Sequence, residues 1–246
     1  MILAAALLTV ADPQGDTRGD GSYVLPSALS GALERSLDLR DFRAESVNGK
    51  LRLTVGMGGL DNPWNAPLGF SVATLDVFVK TDYGGARGLG DSPSDLQTPP
   101  GEGWQHRYTV TGFGVRAYRA DKQGKVRADD GVPRVRTEGS SIVLDTDLPS
   151  GRYSYWVTSR VYSPLTQGGA LSPREGGGSE ALGAPHSNLP QAVDVLYAGD
   201  QARAYASRVL YATGELRDRR PLTLLALTGA GLLLAAFATL RAWRRV

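Results

Sequence analysis

Short stretches in which apolar and polar residues alternate recur through the middle of the chain. Alternation with a period of two predicts β-strands, because successive side chains of a strand point to opposite faces of a sheet. Two such stretches in residues 37–58 flank Asn48-Gly49, and an Asn-Gly pair in that position is the strongest short-range signal of a β-hairpin. The same pattern predicts further strands over residues 70–80, 106–120, 141–148, 153–161 and 192–197.

The segments between these strands indicate the fold class. They are rich in Gly, Pro and Asp, and none has the pattern of a helical crossover. We therefore predict an all-β fold, an antiparallel β-sandwich, with one helix outside the membrane over residues 201–211. Gly112 and Gly114 predict a bulge or a close packing contact inside their strand. Residues 83–102 and 165–190 are predicted loops that are long enough to be functional or mobile.

The clearest feature of the sequence is an apolar stretch near the C-terminus. Residues 221–240 contain no charged side chain, and as a helix they would span about 30 Å, the thickness of the hydrocarbon core of a bilayer. The arginines of residues 241–246 favour a cytoplasmic C-terminus, because loops on that side carry an excess of Lys and Arg. We predict a transmembrane helix at 221–240, a basic juxtamembrane stalk at 214–220 and a cytoplasmic basic tail at 241–246.

The N-terminal residues 1–11 are apolar and small. They resemble the second half of a secretory signal, with Thr9-Val10-Ala11 as the cleavage site. The segment is short and has no basic start, so a first β-strand is the alternative. An exported N-terminus agrees with the orientation drawn from the C-terminal arginines. The predicted location is the cell membrane, crossed once, with the folded domain of residues 12–213 outside the cytoplasm.

Composition narrows the possible functions. The 246 residues carry a formal net charge of +2, and much of the basic excess lies near the C-terminus, so the domain lacks the broad basic face that nucleic acid requires. The absence of Cys excludes disulfides, thiol nucleophiles and thiolate metal sites. The sequence has no nucleophile-elbow, metalloprotease or phosphate-loop motif. We predict a protein that is not an enzyme and does not bind nucleic acid.

Four segments in chain order carry a resemblance to a known family. They are Asp12-Pro13-Gln14-Gly15-Asp16 with Gly19, Gly21, Tyr23 and Pro26; Asn62-Pro63-Trp64 with Pro67 and Gly69-Phe70-Ser71, followed by Asp76-Val77-Phe78; Gly103-Trp104; and Pro190 with Val193-Asp194-Val195-Leu196, followed by Gln201. Together they resemble the DOMON-like C-terminal module of glucodextranase, also described as a surface-layer-homology-like binding module. The chain departs from the family at Thr17, where the usual Gly-Asp-Asp has its second acidic residue.

The resemblance implies a β-sandwich that is attached to secreted or surface proteins acting on polysaccharides, or that stands alone in envelope proteins. Its implied role is adherence to carbohydrate or cell wall. The hydrolytic activity of glucodextranase belongs to a separate catalytic domain, and this chain contains no such domain. The resemblance therefore carries a binding role and no catalytic residues.

The first motif offers a candidate metal site. Asp12, Asp16 and Asp20 lie four residues apart among glycines, and Ca²⁺ takes six to eight oxygen ligands, several of them from flexible loops. Asp76, in the strand after the second motif, is a fourth candidate ligand. The alternative is a solvated turn in which the Asp side chains cap local backbone amides.

Aromatic residues in predicted loops offer a candidate carbohydrate site. Flat aromatic faces can stack on sugar rings, and binding residues concentrate in loops. The candidate carbohydrate-binding residues are Trp64, Asn62, Asn65, Trp104 and Tyr83. The alternative for each aromatic ring is packing against the protein itself, which is ordinary for Trp in a sandwich.

Three functions remain open at this stage. The first is a membrane-anchored, non-catalytic module that binds an envelope glycan or cell-wall polymer, with calcium as a possible cofactor. The second is a structural subunit that docks on a surface-layer protein or another envelope protein. The third is a haem-binding DOMON electron carrier, for which the only candidate ligands are His106, His186 and Met57. No local haem motif surrounds them, so haem is the least expected cofactor.

Overall fold

The computed structural model describes residues 4–29, 31–166, 168–176 and 181–214. In this part of the chain two antiparallel sheets form an all-β, sandwich-like fold, as the sequence predicts. The first sheet has the strand order β1-β2-β3-β9-β8, and the second has the order β13-β10-β4-β5-β6-β7, with β14 also paired to β10. A short parallel pair, β11-β12, stands apart from both. The strands are β1 (Ala4–Ala11), β2 (Leu39–Val47), β3 (Lys50–Met57), β4 (Ala73–Lys80), β5 (His106–Thr111), β6 (Gly114–Ala120), β7 (Val126–Asp129), β8 (Arg134–Glu138), β9 (Ser141–Pro149), β10 (Ser154–Val161), β11 (Pro173–Glu175), β12 (Leu182–Ala184), β13 (Ala192–Val195) and β14 (Thr213–Gly214).

The predicted hairpin is confirmed. β2 and β3 pair antiparallel, and Asn48 and Gly49 connect them. Both residues have positive φ, 53° and 76°, which a two-residue hairpin turn of type I′ requires. Asn and Gly tolerate this region better than other residues, so the turn and its register follow directly from the sequence.

The predicted strand at 106–120 is instead a hairpin of β5 and β6. Its turn lies at Gly112, and the predicted close packing contact is found there. A Cβ atom at Gly112 would lie 1.5 Å from the carbonyl oxygen of Phe70, so only Gly fits. The alternating pattern is nearly continuous across such a tight turn, and for this reason it did not separate the two strands.

Three strands of the second sheet are buried on both faces. Every residue of β4, β5 and β10 is buried. The first sheet covers one face, where Phe42 of β2 lies with its ring centroid 5.1 Å from that of Tyr155 of β10. The long segment 81–105 covers part of the other face, where Trp104 lies 5.5 Å from Phe78. This predicted loop therefore acts as a third layer over the sheet.

The N-terminal segment forms the edge strand β1, which pairs with β2. Leu8 and Val10 pack against the core, and Leu7 marks an irregularity in the register and is 37 % exposed. The strand alternative for residues 1–11 is thus what the structure shows for residues 4–11. Signal cleavage after Ala11 would remove this whole strand.

Helical structure is sparse. The predicted helix at 201–211 is present but shorter, as α1 (Ala202–Ser207), and it ends because Arg208 adopts a left-handed conformation with φ 54°. Two 3-10 turns, Ser27–Leu29 and Gly31–Ser36, precede β2. Among the described residues no helix is long and apolar enough to cross a membrane. The predicted span at 221–240 lies outside those residues.

Candidate functional site

Three carboxylates from distant parts of the chain meet at one point. Asp12 and Asp16 follow β1, and Asp194 belongs to β13; one oxygen of each lies within 4.8 Å of the others. The first and last segments of the family resemblance are thereby brought together. Gly19 N donates to Val193 O at 2.8 Å beside the group.

Backbone amides hold two of these carboxylates in place. Asp194 Oδ2 accepts from Leu39 N at 2.7 Å, and its Oδ1 accepts from Val195 N at 2.8 Å. Asp12 Oδ1 accepts from Tyr197 N at 2.6 Å. The second oxygens, Asp12 Oδ2 and Asp16 Oδ1, are buried and have no hydrogen-bond partner within the described part of the chain. Two buried acceptor atoms of the group therefore lack a donor.

Burial raises the pKa of every carboxyl in the group, and the charges of neighbouring carboxylates add to the rise. For Asp12, burial is the largest cause, the charges of Asp16 and Asp38 add to it, and the pKa rises to about 8. Burial likewise raises the pKa of Asp16 and, with the charge of Asp12, raises that of Asp194 well above its ordinary range. The nearby Arg40 opposes the rise at Asp12 but is itself ion-paired to Asp38 at 2.5 Å. The protein surroundings therefore do not neutralise the fully ionised group, and without a cation Asp12 and Asp194 keep protons at a pH where an isolated carboxyl has lost its own.

Oxygen atoms of this kind suit a calcium ion. Three carboxylates supply hard oxygen donors of the kind that Ca²⁺ prefers. Gln201 adds an amide at the same place, because its Nε2 donates to the backbone oxygen of Asp16. The unsatisfied oxygens of Asp12 and Asp16 are the observation that fits a cation, since a buried acceptor without a donor is costly.

The remaining predicted ligands lie elsewhere. Asp20 caps its own turn by accepting from Ser22 N at 3.0 Å, as the solvated-turn alternative describes. Asp76 lies on β4 and is fully buried between Arg107 and Arg160, at 2.8 Å and 2.6 Å. Two guanidinium groups already neutralise it, so Asp76 is not available to the acidic group. Thr17, at the departure from the family motif, donates to Glu34 at 3.2 Å.

A second constellation is a cluster of three aromatic rings, two of them exposed, which we call the aromatic surface and define as Trp64, Tyr162 and Phe113. The ring centroid of Trp64 lies 5.8 Å from that of Tyr162, and Phe113 stacks on Tyr162 at 5.2 Å with an interplanar angle of 24°. Trp64 is 46 % exposed and Phe113 is 47 % exposed. The three rings come from three separate segments and leave apolar area open to solvent.

The loop that carries Trp64 is fixed by its own polar residues. The Asn62 side chain accepts from Ala66 N at 2.7 Å and donates to Ala66 O at 3.0 Å. Trp64 N donates to Ser71 Oγ at 3.2 Å. Asn65 adopts a positive φ of 50° that few residues other than Asn and Gly tolerate. Asn62 and Asn65 thus shape the loop, which presents the Trp64 ring in one place.

Hydrogen bonds connect this loop with the segment that lies next to the acidic group. Asp38 O accepts from Gly58 N at 2.7 Å, and Ser36 Oγ donates to Asp61 Oδ2 at 2.7 Å. Asp61 O in turn accepts from Ser71 N at 3.1 Å. The segment next to the acidic group and the loop before Trp64 therefore belong to one hydrogen-bonded framework.

The turn at Gly112 locks Phe113 against the same loop, and its substitution tests this contact. Leu68 N donates to Gly112 O at 3.0 Å. We expect Gly112→Ala to lower the free energy of unfolding by about 2–3 kcal/mol, because the new methyl group meets the backbone of Phe70 and forces the two segments apart. Urea unfolding followed by tryptophan fluorescence measures the change.

Gly114→Ala is the matched control for that substitution. Gly114 is the first residue of β6, directly after the same turn, and a Cβ atom there meets nothing within 4 Å. Gly114→Ala is expected to change the free energy of unfolding by no more than about 0.5 kcal/mol. Equal effects of the two substitutions would show that the Gly112 contact does not hold the hairpin against the loop.

The other predicted carbohydrate residues are at the far end of the sheet. Trp64 precedes β4, whereas Tyr83 follows it, and the eight residues of β4 separate them by about 25 Å. Trp104 lies at the same end as Tyr83, is only 2 % exposed, and donates its Nε1 to Gly88 O at 2.8 Å. The Trp104 ring packs in the core and has no free face for a sugar.

Three residues of the acidic group and the aromatic surface were not among the site residues predicted from the sequence. Asp194 appeared in the family resemblance, but only the fold places it beside Asp12. Phe113 sits in a turn that the alternating pattern did not reveal. Tyr162 directly follows a fully buried strand, and its position next to Trp64 has no signal in the sequence.

The family model for the SLH-like C-terminal binding module of glucodextranase matches residues 7–160. The chain belongs to this family. A search of the curated proteins gave no match. The glucodextranase C-terminal module is a binding module and not a catalytic domain, in agreement with a non-catalytic role for this chain. The matched residues include Asp12, Asp16, Trp64 and Phe113, whereas Tyr162 and Asp194 follow the matched segment.

Proposed function

We propose that this chain is a non-catalytic module that binds a carbohydrate or cell-envelope polymer through the aromatic surface. The observation that carries the proposal is the exposure of Trp64 and Phe113, whose rings both contact the ring of Tyr162. Large aromatic side chains are normally buried. Two half-exposed rings on fixed loops expose apolar surface to water at a cost in free energy, and a ligand that covers the rings would offset this cost. Sugar rings present flat apolar faces that stack on such rings.

The proposal includes a location. The apolar residues 221–240 and the arginines after them favour a single membrane span with the binding module outside the cytoplasm. A module anchored in this way would hold its ligand close to the cell surface. Localisation of a C-terminal reporter fusion, with protease treatment of intact cells, tests the orientation.

Calcium is proposed as the ion of the acidic group. Asp12, Asp16 and Asp194 would supply carboxylate oxygens, and Gln201 would help to orient the loop around them. The ion would neutralise the group and join the start of the domain to its last strands. Its proposed role is structural, because the hydrogen-bonded framework described above reaches the loop of Trp64.

Substitution of the aromatic surface tests the binding function. We expect Trp64→Ala and Phe113→Ala each to weaken binding of the full chain to its polymer by about tenfold or more, because exposed rings that stack on a ligand contribute strongly to affinity. Pull-down on insoluble glycans and purified cell wall, followed by affinity measurement on the retained polymer, gives the result.

Tyr211→Ala is the control, since Tyr211 is 63 % exposed and lies outside the aromatic surface. It removes an exposed aromatic ring without touching the proposed site, so binding is expected to stay unchanged. Equal losses in all three variants would indicate nonspecific adhesion and would contradict the proposed site.

Docking on another envelope protein is the second candidate function. The observation that favours it is Leu165, which is 92 % exposed two residues after Ser163 of the groove beside the aromatic surface. Recovery of the full chain in a stable envelope complex that is lost with Leu165→Ser, together with no retention on any polymer, would support docking and exclude the carbohydrate proposal.

A further inference from the structure

The last described strand shows where the chain leaves the folded domain. Thr213 and Gly214 form β14, and they pair with Tyr155 and Ser154 at the start of β10. The apolar residues 221–240 of the proposed membrane span begin seven positions after Gly214. Even a fully extended chain covers at most about 25 Å over seven positions. In the proposed single-pass arrangement, this end of the second sheet therefore lies close to the membrane surface.

The turn between β6 and β7 lies at the same end of the sheet. One row of directly paired residues crosses the sheet from the exit of the chain to this turn: Thr213, Tyr155, Val79, His106, Arg119 and Arg127. Five steps between neighbouring strands span about 24 Å. The β6–β7 turn and the exit of the chain are thus at the same level along the strands, about one sheet width apart.

The β6–β7 turn is rich in basic residues. Residues 119–127 contain four basic side chains and one acidic side chain, that of Asp121. The four basic residues, which we call the basic turn, are all exposed: Arg119, Lys122, Lys125 and Arg127. The carboxylate of Asp121 is occupied by the turn itself, because its Oδ1 accepts from Gln123 N at 3.0 Å and from Lys125 N at 2.9 Å. The turn therefore presents a net positive charge on a fixed backbone.

Three side chains of the basic turn lack an anionic partner. Among the described residues, no carboxylate lies within ion-pair distance of Arg119, Lys125 or Arg127. Arg119 and Arg127 lie directly opposite each other on β6 and β7, and like charges in this position destabilise a sheet. Lys122 pairs with Asp82 at 3.0 Å, but the two side chains are 68 % and 47 % exposed, so water weakens the pair. An anionic surface against the turn would relieve the repulsion.

The aromatic surface lies at the opposite end of the same sheet. Tyr162 directly follows the last residue of β10, and Phe113 lies in the turn between β5 and β6. Both β5 and β10 begin at the end of the sheet that holds the basic turn. A domain that rests its basic turn on the membrane would therefore direct the aromatic surface away from the lipid.

We propose that the basic turn docks on anionic lipid headgroups of the membrane in which the chain is anchored. This inference rests on the proposed membrane location and does not depend on which polymer the aromatic surface binds. Negatively charged headgroups attract Lys and Arg side chains near the surface, and each such side chain strengthens association about fivefold. The docked domain stands with its aromatic surface outward, where a polymer can reach it.

The test measures how close each end of the domain lies to the lipid. The sequence has no Cys, so a single introduced Cys carries a fluorescent donor alone. Gln123→Cys labels the exposed basic turn, and Leu165→Cys labels the opposite end, three residues after Tyr162. The full chain is reconstituted in vesicles of phosphatidylcholine alone, or of an equimolar mixture with phosphatidylglycerol, with an acceptor on the headgroups. We expect anionic lipid to increase energy transfer from Gln123→Cys and not from Leu165→Cys.

Removal of single charges tests the residues of the basic turn. Lys125→Gln and Arg127→Gln are each expected to lower the ratio of docked to undocked protein about fivefold in the anionic vesicles. Salt of about 1 M is expected to abolish the difference between the two vesicles, because the Debye length falls to about 3 Å.

Arg174→Gln is the matched control for these substitutions. Arg174 is exposed on β11, which belongs to neither of the two large sheets. The variant removes the same charge away from the basic turn and is expected to leave the docked-to-undocked ratio unchanged. An equal loss in Arg174→Gln and Arg127→Gln would show general charge attraction and overturn the assignment to the basic turn.

The remaining outcomes separate this inference from the proposed function. Energy transfer that does not respond to anionic lipid, or that rises equally at both labels, would overturn the docking and retain the carbohydrate module. A chain in neutral vesicles that retains a soluble glycerol phosphate polymer through Arg127, without any response to anionic lipid, would also overturn it. Extraction of the full chain from the vesicles by alkaline carbonate would overturn both the membrane location and the docking, while polymer binding by the aromatic surface stands on its own test.

Discussion

Asp76→Asn is expected to lower the free energy of unfolding by about 3–5 kcal/mol, because it removes the charge that two buried arginines share. Asp76 and Arg160 are fully buried and Arg107 is 4 % exposed. Asp76 Oδ1 lies 2.8 Å from Arg107 Nε, and its Oδ2 lies 2.6 Å from Arg160 Nη2. Without this carboxylate, Asp91 is the nearest remaining carboxylate for both guanidinium groups. Denaturant unfolding of the full chain measures the loss.

The surface of the protein offers a matched control. Asp145 also bridges two arginines on neighbouring strands, Arg52 at 2.5 Å and Arg136, but its side chain is 31 % exposed. Because water screens this group, Asp145→Asn is expected to lower the free energy of unfolding by about 1 kcal/mol or less. Similar losses in the two variants would mean that burial does not determine the strength of the Asp76 group.

Calcium is expected to raise the melting temperature of the protein by about 5–10 °C at pH 7.5. Saturation to about one hundred times the dissociation constant contributes about 2.7 kcal/mol, and 1 kcal/mol shifts the melting temperature of a domain of this size by about 2–4 °C. Thermal unfolding in calcium and in EGTA gives the difference. In Asp12→Asn most of this calcium-dependent rise in melting temperature is expected to be lost, because the variant has one carboxylate fewer in the group.

Asp20→Asn is the control for the calcium response. Asp20 lies in the same loop but caps Ser22 instead of joining the acidic group. Its variant should keep the full calcium shift. A response that disappears with Asp20→Asn would favour the ligand set predicted from spacing, which includes Asp20, over the set that the fold brings together.

The acidic group also predicts how stability depends on pH without metal. Burial, with the charges of Asp16 and Asp38, raises the pKa of Asp12 from its ordinary value of 3.8 to about 8. Between these values the folded state binds more protons than the unfolded state, so stability falls as the pH rises. In EGTA the melting temperature should therefore decrease from pH 5 to pH 8. Calcium should reduce this decrease because it takes the place of the protons.

Local patterns predicted a large part of the fold. The hairpin at Asn48-Gly49 needed only two residues that tolerate positive φ between alternating strands. The strands β4, β9 and β10 were also predicted within a few residues of their observed bounds. The short strands β7 and β8 were missed, because their exposed, charged residues lack an alternating apolar face.

The alternating pattern was misleading about the second sheet. In β4, apolar Leu75 alternates with polar Asp76, which by itself indicates one face in water. The structure buries that face under residues 81–105, where the Arg107 and Arg160 side chains neutralise Asp76. Pairing between residues that are far apart in sequence made this burial possible, and no local pattern reports such pairing.

The sequence by itself determined the all-β fold class, the family and the residue types suited to calcium and to sugars. Only the tertiary structure decided which residues act together. It joined Asp194 to Asp12 and Asp16, and it moved Asp76 into an ion-paired group. It also set Trp64 beside Tyr162 and Phe113 while burying Trp104. The reason is physical: a strand's composition sets its local conformation, but contacts between distant segments set which side chains are exposed, paired or left with unsatisfied charge.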